Sequence, residues 1–216
     1  MRRLAFTDIH GTFDPVVRAM ESESDFDAIV LGGDLTTYGT PEDVRQYLRS
    51  LPSNGKPVMV VAGNMDPPEL DQEFLRLGVS INAKGRLVGS VGFFGVSAAP
   101  LSPLHTPYEI PEEEIAARAE SGWNDVRHSG LTVFVPHAPP RNTTLDRTFL
   151  GHHVGSTAVR AFIEKQQPDV TVCGHIHESR GVESLGKTLM VNCGPAGKGK
   201  YALITLDKEI DIQLRG

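Results

Sequence analysis

The chain has 216 residues and a formal net charge of −6, with 39% hydrophobic and 22% charged residues. This composition predicts a globular fold rather than an intrinsically disordered chain, and the length fits a single domain over residues 1–216. The negative charge argues against an extended nucleic-acid-binding surface, which needs a basic patch. The N-terminus lacks the apolar core of a signal peptide and no apolar run is long enough to span a bilayer, so we expect a cytoplasmic protein without membrane contacts.

Strands and helices alternate in the first third of the chain. Apolar, β-branched runs predict strands over residues 4–7, 27–31 and 57–62. A helix is predicted after each strand, because Asp14, Thr40 and Asp66 are good N-capping residues and each is followed by proline. Repeated strand–helix units predict a parallel sheet.

The rest of the chain is less regular. Short strands with glycine turns over residues 79–81, 85–88 and 91–96 predict antiparallel pairing. A loop over 99–111 and a helix over 111–126 follow, and then a strand over 131–135 and a second loop over 141–154. Ser156 is expected to cap a helix, and further strands are predicted over residues 170–173, 186–191, 201–206 and 210–214.

Potential metal ligands follow five of the predicted strands. They are Asp8 with His10, Asp34, Asn64, His137, and His175 with His177. Side chains two positions apart on an extended chain point to the same side, so each pair is expected to project together. Strand ends in an α/β sheet converge on one edge, where ligand sites form. Each block alone is explained as well by ordinary turn and loop residues, and only their combination indicates a site.

The composition of this set indicates two metal ions. Four imidazoles, two carboxylates and one amide oxygen exceed the four positions of a tetrahedral zinc site. Mixed oxygen and nitrogen donors suit divalent transition ions that share a carboxylate. Two such ions, roughly 3.5–4 Å apart, can bind a phosphate ester and generate a hydroxide that attacks phosphorus in line.

The ordered motifs resemble those of the calcineurin-like metallophosphoesterase superfamily: Asp8-x-His10, Gly32-Gly33-Asp34, Gly63-Asn64-x-Asp66, His137 and Gly174-His175-x-His177. The resemblance extends from Phe6 to about Gly194 and is closest to small stand-alone bacterial and archaeal members. It implies a four-layer α/β-β/α sandwich with two facing mixed β-sheets. It also implies that Asp8, His10 and His177 bind one metal ion, that Asn64, His137 and His175 bind the other, and that Asp34 bridges them. Manganese is the favoured metal, with iron, zinc, nickel and magnesium as alternatives.

One position departs from the family pattern. Many members have a histidine where this chain has Met65, and that histidine stabilises the transition state or protonates the leaving oxygen. A thioether can do neither, so we expect a phosphoesterase that hydrolyses phosphodiesters better than monoesters. Asp66, which would orient such a histidine, is expected to serve only as a helix cap. A non-catalytic interaction scaffold and a nucleotide pyrophosphatase are the alternative functions.

Substrate contacts are expected from the second long loop. Arg141 and His153, together with Asn64, are predicted to contact a phosphoester small molecule or a nucleotide. Either His152 or His153 is a candidate to replace the histidine that is missing at Met65, and the alternative is that both are ordinary loop residues. His105 and His128 are expected on the surface.

The two cysteines, Cys173 and Cys193, cannot form a disulfide framework. Cys173 is expected to be buried in its strand, whereas Cys193 is expected near the site, either reactive or simply packed.

Overall fold

Two mixed β-sheets face each other in the computed structural model, which describes residues 1–23, 25–207 and 209–216. The first sheet has five strands in the order β13 (Ile210–Arg215), β12 (Tyr201–Leu206), β1 (Arg2–Phe6), β2 (Ala28–Gly32) and β3 (Val58–Val61). The strands β1, β2 and β3 are parallel, and β12 pairs antiparallel with both β1 and β13. Both ends of the chain therefore lie in the same sheet.

The second sheet has six strands in the order β10 (Gly181–Leu185), β11 (Thr188–Asn192), β9 (Val170–Cys173), β8 (Leu131–Pro136), β5 (Val91–Val96) and β4 (Gly85–Val88). Its central strands β11, β9, β8 and β5 are parallel, while β10 and β4 are antiparallel edge strands. A separate pair of short parallel strands, β6 (Ala99–Pro100) and β7 (Glu109–Ile110), borders the long loop between them.

Helices cover the outer faces of the sheets. They are α1 (Asp14–Ser22), α2 (Pro41–Ser50), α3 (Glu69–Arg76), α4 (Glu112–Val126) and α5 (Thr157–Gln166). Helix α3 contacts β3, and α4 packs against β4, β5 and α5. No helix among the described residues is long and apolar enough to cross a membrane.

Alternating side chains build two separate hydrophobic cores. Along β1, Leu4 and Phe6 belong to the core that includes residues of the helices, whereas Ala5 belongs to a second core. This second core joins Val30 of the first sheet to Val133 of the second, so it lies between the two sheets. The arrangement confirms the predicted four-layer sandwich and the predicted mixed sheets.

The helix starts are only partly as predicted. Thr40 caps α2 in a reciprocal capping box with Asp43, and the Ser156 hydroxyl accepts a hydrogen bond from Val159 at the start of α5, as expected. Helix α1 begins at Asp14 itself, one residue earlier than predicted, and has no side-chain cap.

The prediction that Asp66 caps a helix is wrong. Helix α3 begins at Glu69, and its N-cap position is Pro68, without a side-chain hydrogen bond. Asp66 is completely buried, and its carboxylate accepts hydrogen bonds from Leu35 N–H in the loop after β2 and from Gly63 N–H in its own loop.

One strand prediction is also wrong, and one strand of the second sheet was not predicted. Residues 79–81 form no strand, because the backbone N–H groups of Val79 and Ser80 donate to Phe74 at the end of α3, which leaves only an isolated bridge between Ser80 and Val60. The strand predicted over 186–191 corresponds to β11, which begins at Thr188, while β10 was not predicted; Gly186, with a φ of +62°, turns the chain between these two strands.

Candidate metal centre

The seven predicted ligand residues lie together at one edge of the sandwich. The loops after β1, β2 and β3 bring four of them, and the loops after β8 and β9 bring the other three. Sequence reasoning placed these strand ends on one sheet, but the structure distributes them over both. The two sheets are joined here, because His175 N–H, in the loop after β9 of the second sheet, donates to the carboxylate of Asp8, in the loop after β1 of the first sheet, at 3.0 Å.

Asp8, His10 and His177 form the first group of donors. His177 Nε2 lies 3.4 Å from Asp8 Oδ1 and 3.3 Å from His10 Nε2. One potential ligand atom from each of the three residues lies within 4.8 Å of the other two. Two imidazole nitrogens that face each other beside a carboxylate suit a shared cation.

Asn64, His137 and His175 form the second group. Asn64 Oδ1 lies 3.1 Å from His137 Nε2 and 2.8 Å from His175 Nδ1. Asp34 lies between the two groups, since its Oδ2 is 3.7 Å from His10 Nε2 and 3.5 Å from His137 Nε2. This carboxylate is therefore within reach of a cation in either group.

The backbone that presents these residues is not extended, and the same-side projection predicted for His175 and His177 is wrong, whereas Asp8 and His10 face the same group of donors. Asp8, His10, Asp34 and His175 have φ values of 57°, 50°, 51° and 69°, in the left-handed region that non-glycine residues rarely adopt. As a result His175 faces Asn64, while His177 faces Asp8. Strained backbone of this kind concentrates at functional sites.

Two glycines provide the space that the donors occupy. Gly33 has a φ of +98°, and a Cβ atom there would lie 2.3 Å from His137 Nδ1. A Cβ atom on Gly174 would lie 2.2 Å from Asp8 Oδ2. Larger residues at either position would displace a donor.

Burial and neighbouring charges shift the pKa values of several residues in the cluster. Burial alone would lower the pKa of His137, but the charges of Asp34 and Asp8 outweigh it and raise that pKa to about 9. Burial and the neighbouring His137 lower the pKa of His175 to about 4. Burial opposes ionisation of Asp8, yet its hydrogen bond to His177 and the charge of His137 lower the Asp8 pKa.

Groups outside the cluster fix its side chains. His137 donates from Nδ1 to the Gly32 carbonyl at 2.9 Å, which leaves Nε2 free to act as a ligand. His10 Nδ1 lies 2.9 Å from the Thr37 hydroxyl, so Nε2 faces the cluster. The sequence analysis did not identify Thr37, which carries no motif signal.

Asp66 joins the loops after β2 and β3. Its carboxylate accepts hydrogen bonds from Gly63 N–H, Leu35 N–H, Thr36 N–H and the Thr36 hydroxyl at 2.8–3.1 Å. These loops present Asp34 and Asn64, so Asp66 holds both in place. The sequence feature that could have predicted this role is the place of Asp66 in the Gly63-Asn64-x-Asp66 motif.

A cavity of about 940 Å³ opens directly onto the donor cluster. Met65, Arg141 and His153 line it, whereas His152 is exposed and does not. His153 Nδ1 lies 2.7 Å from Oδ1 of the buried Asp146, so its other ring nitrogen is available to a ligand. Sequence reasoning did not identify Asp146.

The remaining histidines and cysteines are not part of the donor cluster. His105 and His128 are exposed, as predicted. Cys173 and Cys193 are both free and buried, and burial raises the pKa of each thiol. Of the two expectations for Cys193, the structure supports packing.

The donor set fits divalent cations. Imidazole, carboxylate and amide oxygen are the ligands that such ions take in mixed sites, and the ring nitrogens are already oriented toward the cluster. The groups Asp8, His10, His177 and Asp8, Asp34, His137 each bring three ligand atoms within 4.8 Å of one another.

The sandwich of two mixed sheets with this cluster at its strand ends defines a protein of the metallophosphoesterase fold. The family model of the calcineurin-like phosphoesterases matches residues 1–179, and the chain therefore belongs to this family. The family recognised from the sequence motifs is thus confirmed.

Individual proteins agree with this membership. The protein MJ1162 of Methanocaldococcus jannaschii is 35% identical over 199 residues, which cover 90% of this chain and 88% of that protein. The structure of TT1561 from Thermus thermophilus superposes with a TM-score of 0.76 at 19% identity, over 98% of this chain and 97% of the other. A dimetal phosphatase from Danio rerio superposes with a TM-score of 0.63 at 10% identity, over 100% and 96% of the two chains. At these identities the two structures show the shared fold alone.

Proposed function

We propose that this chain is a metal-dependent phosphoesterase that hydrolyses phosphodiesters better than phosphomonoesters. The observation that carries the proposal is the position of Asp34 between two groups of donors. In this proposal Asp8, His10 and His177 hold one divalent ion, Asn64, His137 and His175 hold the second, and Asp34 is shared. Manganese is the proposed metal.

When bound, two divalent ions polarise phosphoryl oxygens and make hydroxide available as a nucleophile near neutral pH. The protein contributes the orientation of the donors. The Gly32 carbonyl sets the His137 tautomer, Thr37 positions His10, and Asp66 fixes the two loops that carry Asp34 and Asn64. Preorganised ligands of this kind need little rearrangement during the reaction.

The preference for diesters rests on Met65. Its backbone N–H donates to Asp34 Oδ1 at 2.7 Å, and the partly buried side chain lines the cavity beside the cluster. A thioether cannot protonate a leaving oxygen or hold the second negative charge of a monoester. Loss of a general acid costs about 10²–10⁴-fold in rate, most of all for poor leaving groups.

His153 and Arg141 are proposed to contact the substrate. Asp146 accepts a hydrogen bond from His153 Nδ1, which orients the ring and leaves Nε2 for a phosphoryl or leaving oxygen in the cavity. Arg141 is exposed at the cavity wall, where its guanidinium can bind a phosphoryl oxygen.

The test compares an aryl phosphodiester with the matching aryl monoester after the protein has been loaded with manganese. We expect about two ions per chain and a higher kcat/KM for the diester. Met65→His should shift the ratio of kcat/KM toward the monoester. Met65→Leu is the matched control, because it keeps an apolar side chain of similar size without an acid, and its ratio should stay that of the wild type.

Other outcomes distinguish the alternatives. A higher kcat/KM of the wild-type protein for the monoester would contradict the proposed preference for diesters. A protein that binds metal but cleaves neither ester nor a dinucleotide anhydride would favour the interaction scaffold. Cleavage of the anhydride alone would favour the nucleotide pyrophosphatase.

A further inference from the structure

Large apolar side chains are exposed around the mouth of the cavity. Leu101 and Leu104 are 66% and 81% exposed, and Val154 on the opposite loop is 39% exposed. All three line the cavity that opens onto the donor cluster. An apolar surface that continues into a reactive centre indicates a ligand with an apolar part.

The loop that carries the two leucines is held in this exposed conformation. The Glu109 carboxylate accepts hydrogen bonds from the backbone N–H and hydroxyl groups of Ser102 and Thr106, at distances of 2.7–2.9 Å. At the end of the loop, Tyr108 N–H donates to the Asn64 carbonyl at 3.0 Å, so the loop is tied directly to the donor cluster. The exposure of Leu101 and Leu104 is thus part of an ordered wall.

The opposite wall is fixed in a similar way. The buried Asp146 carboxylate accepts hydrogen bonds from Thr143 N–H and Gly155 N–H, both at 2.9 Å, and from His153. These bonds hold Val154 at the mouth of the cavity. Two ordered apolar walls therefore flank the approach to the cluster.

The residues that line the cavity indicate which kind of ligand it can bind. The cavity-lining residues that the structure describes include no phenylalanine, tyrosine or tryptophan, so outside the donor cluster a nucleobase could stack only on His153 and Arg141, which are both proposed to contact the phosphate. Within the same set, Arg141 is the only lysine or arginine, and Glu109, Glu112 and Glu113 are acidic. A polyphosphate chain would be repelled by these carboxylates, whereas an uncharged aliphatic chain would not.

We infer that the ligand of this cavity is a phosphodiester in which one ester group is an aliphatic chain. The phosphate lies at the donor cluster and the chain lies between the 99–106 loop and Val154. This inference deepens the proposed phosphodiesterase function and rests on it for the hydrolysis of that ligand.

The first test is a chain-length series. The methyl, butyl and octyl esters of p-nitrophenyl phosphate are hydrolysed by the manganese-loaded protein at concentrations below those at which the octyl ester aggregates. Burial of each methylene should raise kcat/KM, by up to about fourfold per methylene group if burial is complete. The Leu101→Ser and Leu104→Ser double variant should lose this dependence, so that the ratio of its kcat/KM for the octyl ester to its kcat/KM for the methyl ester falls toward one.

Leu87→Ser provides the matched control. Leu87 is 60% exposed on β4 and does not line the cavity, so this variant should keep the dependence on chain length. A wild-type protein with equal kcat/KM for all three esters would overturn the inference. If kcat/KM depended on chain length only above the concentration at which the octyl ester aggregates, the leucines would be binding the surface of the aggregate. That result would overturn the inference as well.

A binding measurement separates this inference from the proposed function. Calorimetric titration with methyl phosphate and octyl phosphate should show tighter binding and a more negative heat-capacity change for octyl phosphate. Tighter binding without hydrolysis of any ester would support the aliphatic ligand and refute the phosphodiesterase. Hydrolysis of the methyl ester with equal binding of both phosphates would support the phosphodiesterase and refute the aliphatic ligand.

Discussion

Replacing Gly174 by alanine should remove metal binding by crowding Asp8. A Cβ atom at this position would lie 2.2 Å from Asp8 Oδ2 and 2.6 Å from both Cβ and Oγ1 of Thr7. Because Cβ contacts shorter than 3.0 Å are essentially never seen, the carboxylate must move by about 0.8 Å. Metal–ligand distances tolerate changes of only about 0.2 Å, so this movement should take Asp8 out of the ligand set.

The same crowding should lower the stability of the protein. Asp8 and Thr7 are buried, and Asp8 is held by hydrogen bonds from His175 N–H, so neither can move freely. Overpacking of a buried site costs about 1–3 kcal/mol, from a total free energy of unfolding of about 5–15 kcal/mol. Gly174 does not have a positive φ, so the substitution tests crowding rather than backbone strain.

The assay combines elemental analysis after manganese loading with denaturant unfolding in the presence of a chelator. Wild-type protein should contain about two ions per chain, and Gly174→Ala should contain at least one fewer. Gly181→Ala is the control. Gly181 lies in the same sheet as β9, which precedes Gly174, and its Cβ would make an ordinary 3.4 Å contact with Leu145 Cδ2. The metal content of Gly181→Ala and its midpoint of denaturant unfolding should match those of the wild type. If Gly174→Ala also matches the wild type in both measurements, the assignment of Asp8 as a ligand is wrong.

Three further experiments follow from the same geometry. Asp34→Asn should weaken both metal sites, because Asp34 lies between the two donor groups, and full manganese content in the variant would refute its shared role. His153→Ala should lower kcat/KM for the aryl diester without loss of metal, and an unchanged kcat/KM would leave His153 as an ordinary loop residue. Burial opposes ionisation of Glu109, but hydrogen bonds from Thr106 and Ser102 lower its pKa to about 2. The pKa is lowered in the folded protein, so the order of the 99–106 loop should be complete above about pH 4.3 and be lost as the pH falls toward 2. The amide resonances of Ser102 and Thr106 should report this change, and it should be absent in Glu109→Gln.

The donor residues were predictable from sequence because each follows an apolar strand, and strand ends are where ligands bind. Their local geometry was not. An extended chain would place His175 and His177 on one side, but the left-handed backbone at His175 sends them to different donor groups. Such a conformation depends on contacts with the other sheet, among them the hydrogen bonds from His175 N–H to Asp8, which no local pattern encodes.

The supporting residues were also beyond sequence reasoning. Asp66 has the local signature of a helix cap, since two prolines and Glu69 follow it, yet its carboxylate binds the backbone of Leu35 and Thr36, thirty or more positions earlier. Asp146 likewise carries no motif. Partners so distant in sequence become neighbours only when the strands assemble.

The two sheets share the donor cluster, and this links cation binding to their association. Asp8, His10, Asp34 and Asn64 come from the sheet of β1 to β3, whereas His137, His175 and His177 come from the sheet of β8 and β9. Neither proposed ion has a complete set of donors until the sheets have docked. Cations should therefore bind late in folding and should act as a crosslink between the halves of the sandwich. At a free concentration one hundred times the dissociation constant, one bound ion adds about 2.7 kcal/mol to the free energy of unfolding. If the proposed ions bind here, metal supply should set how tightly the two sheets are held together, as well as whether the site is active.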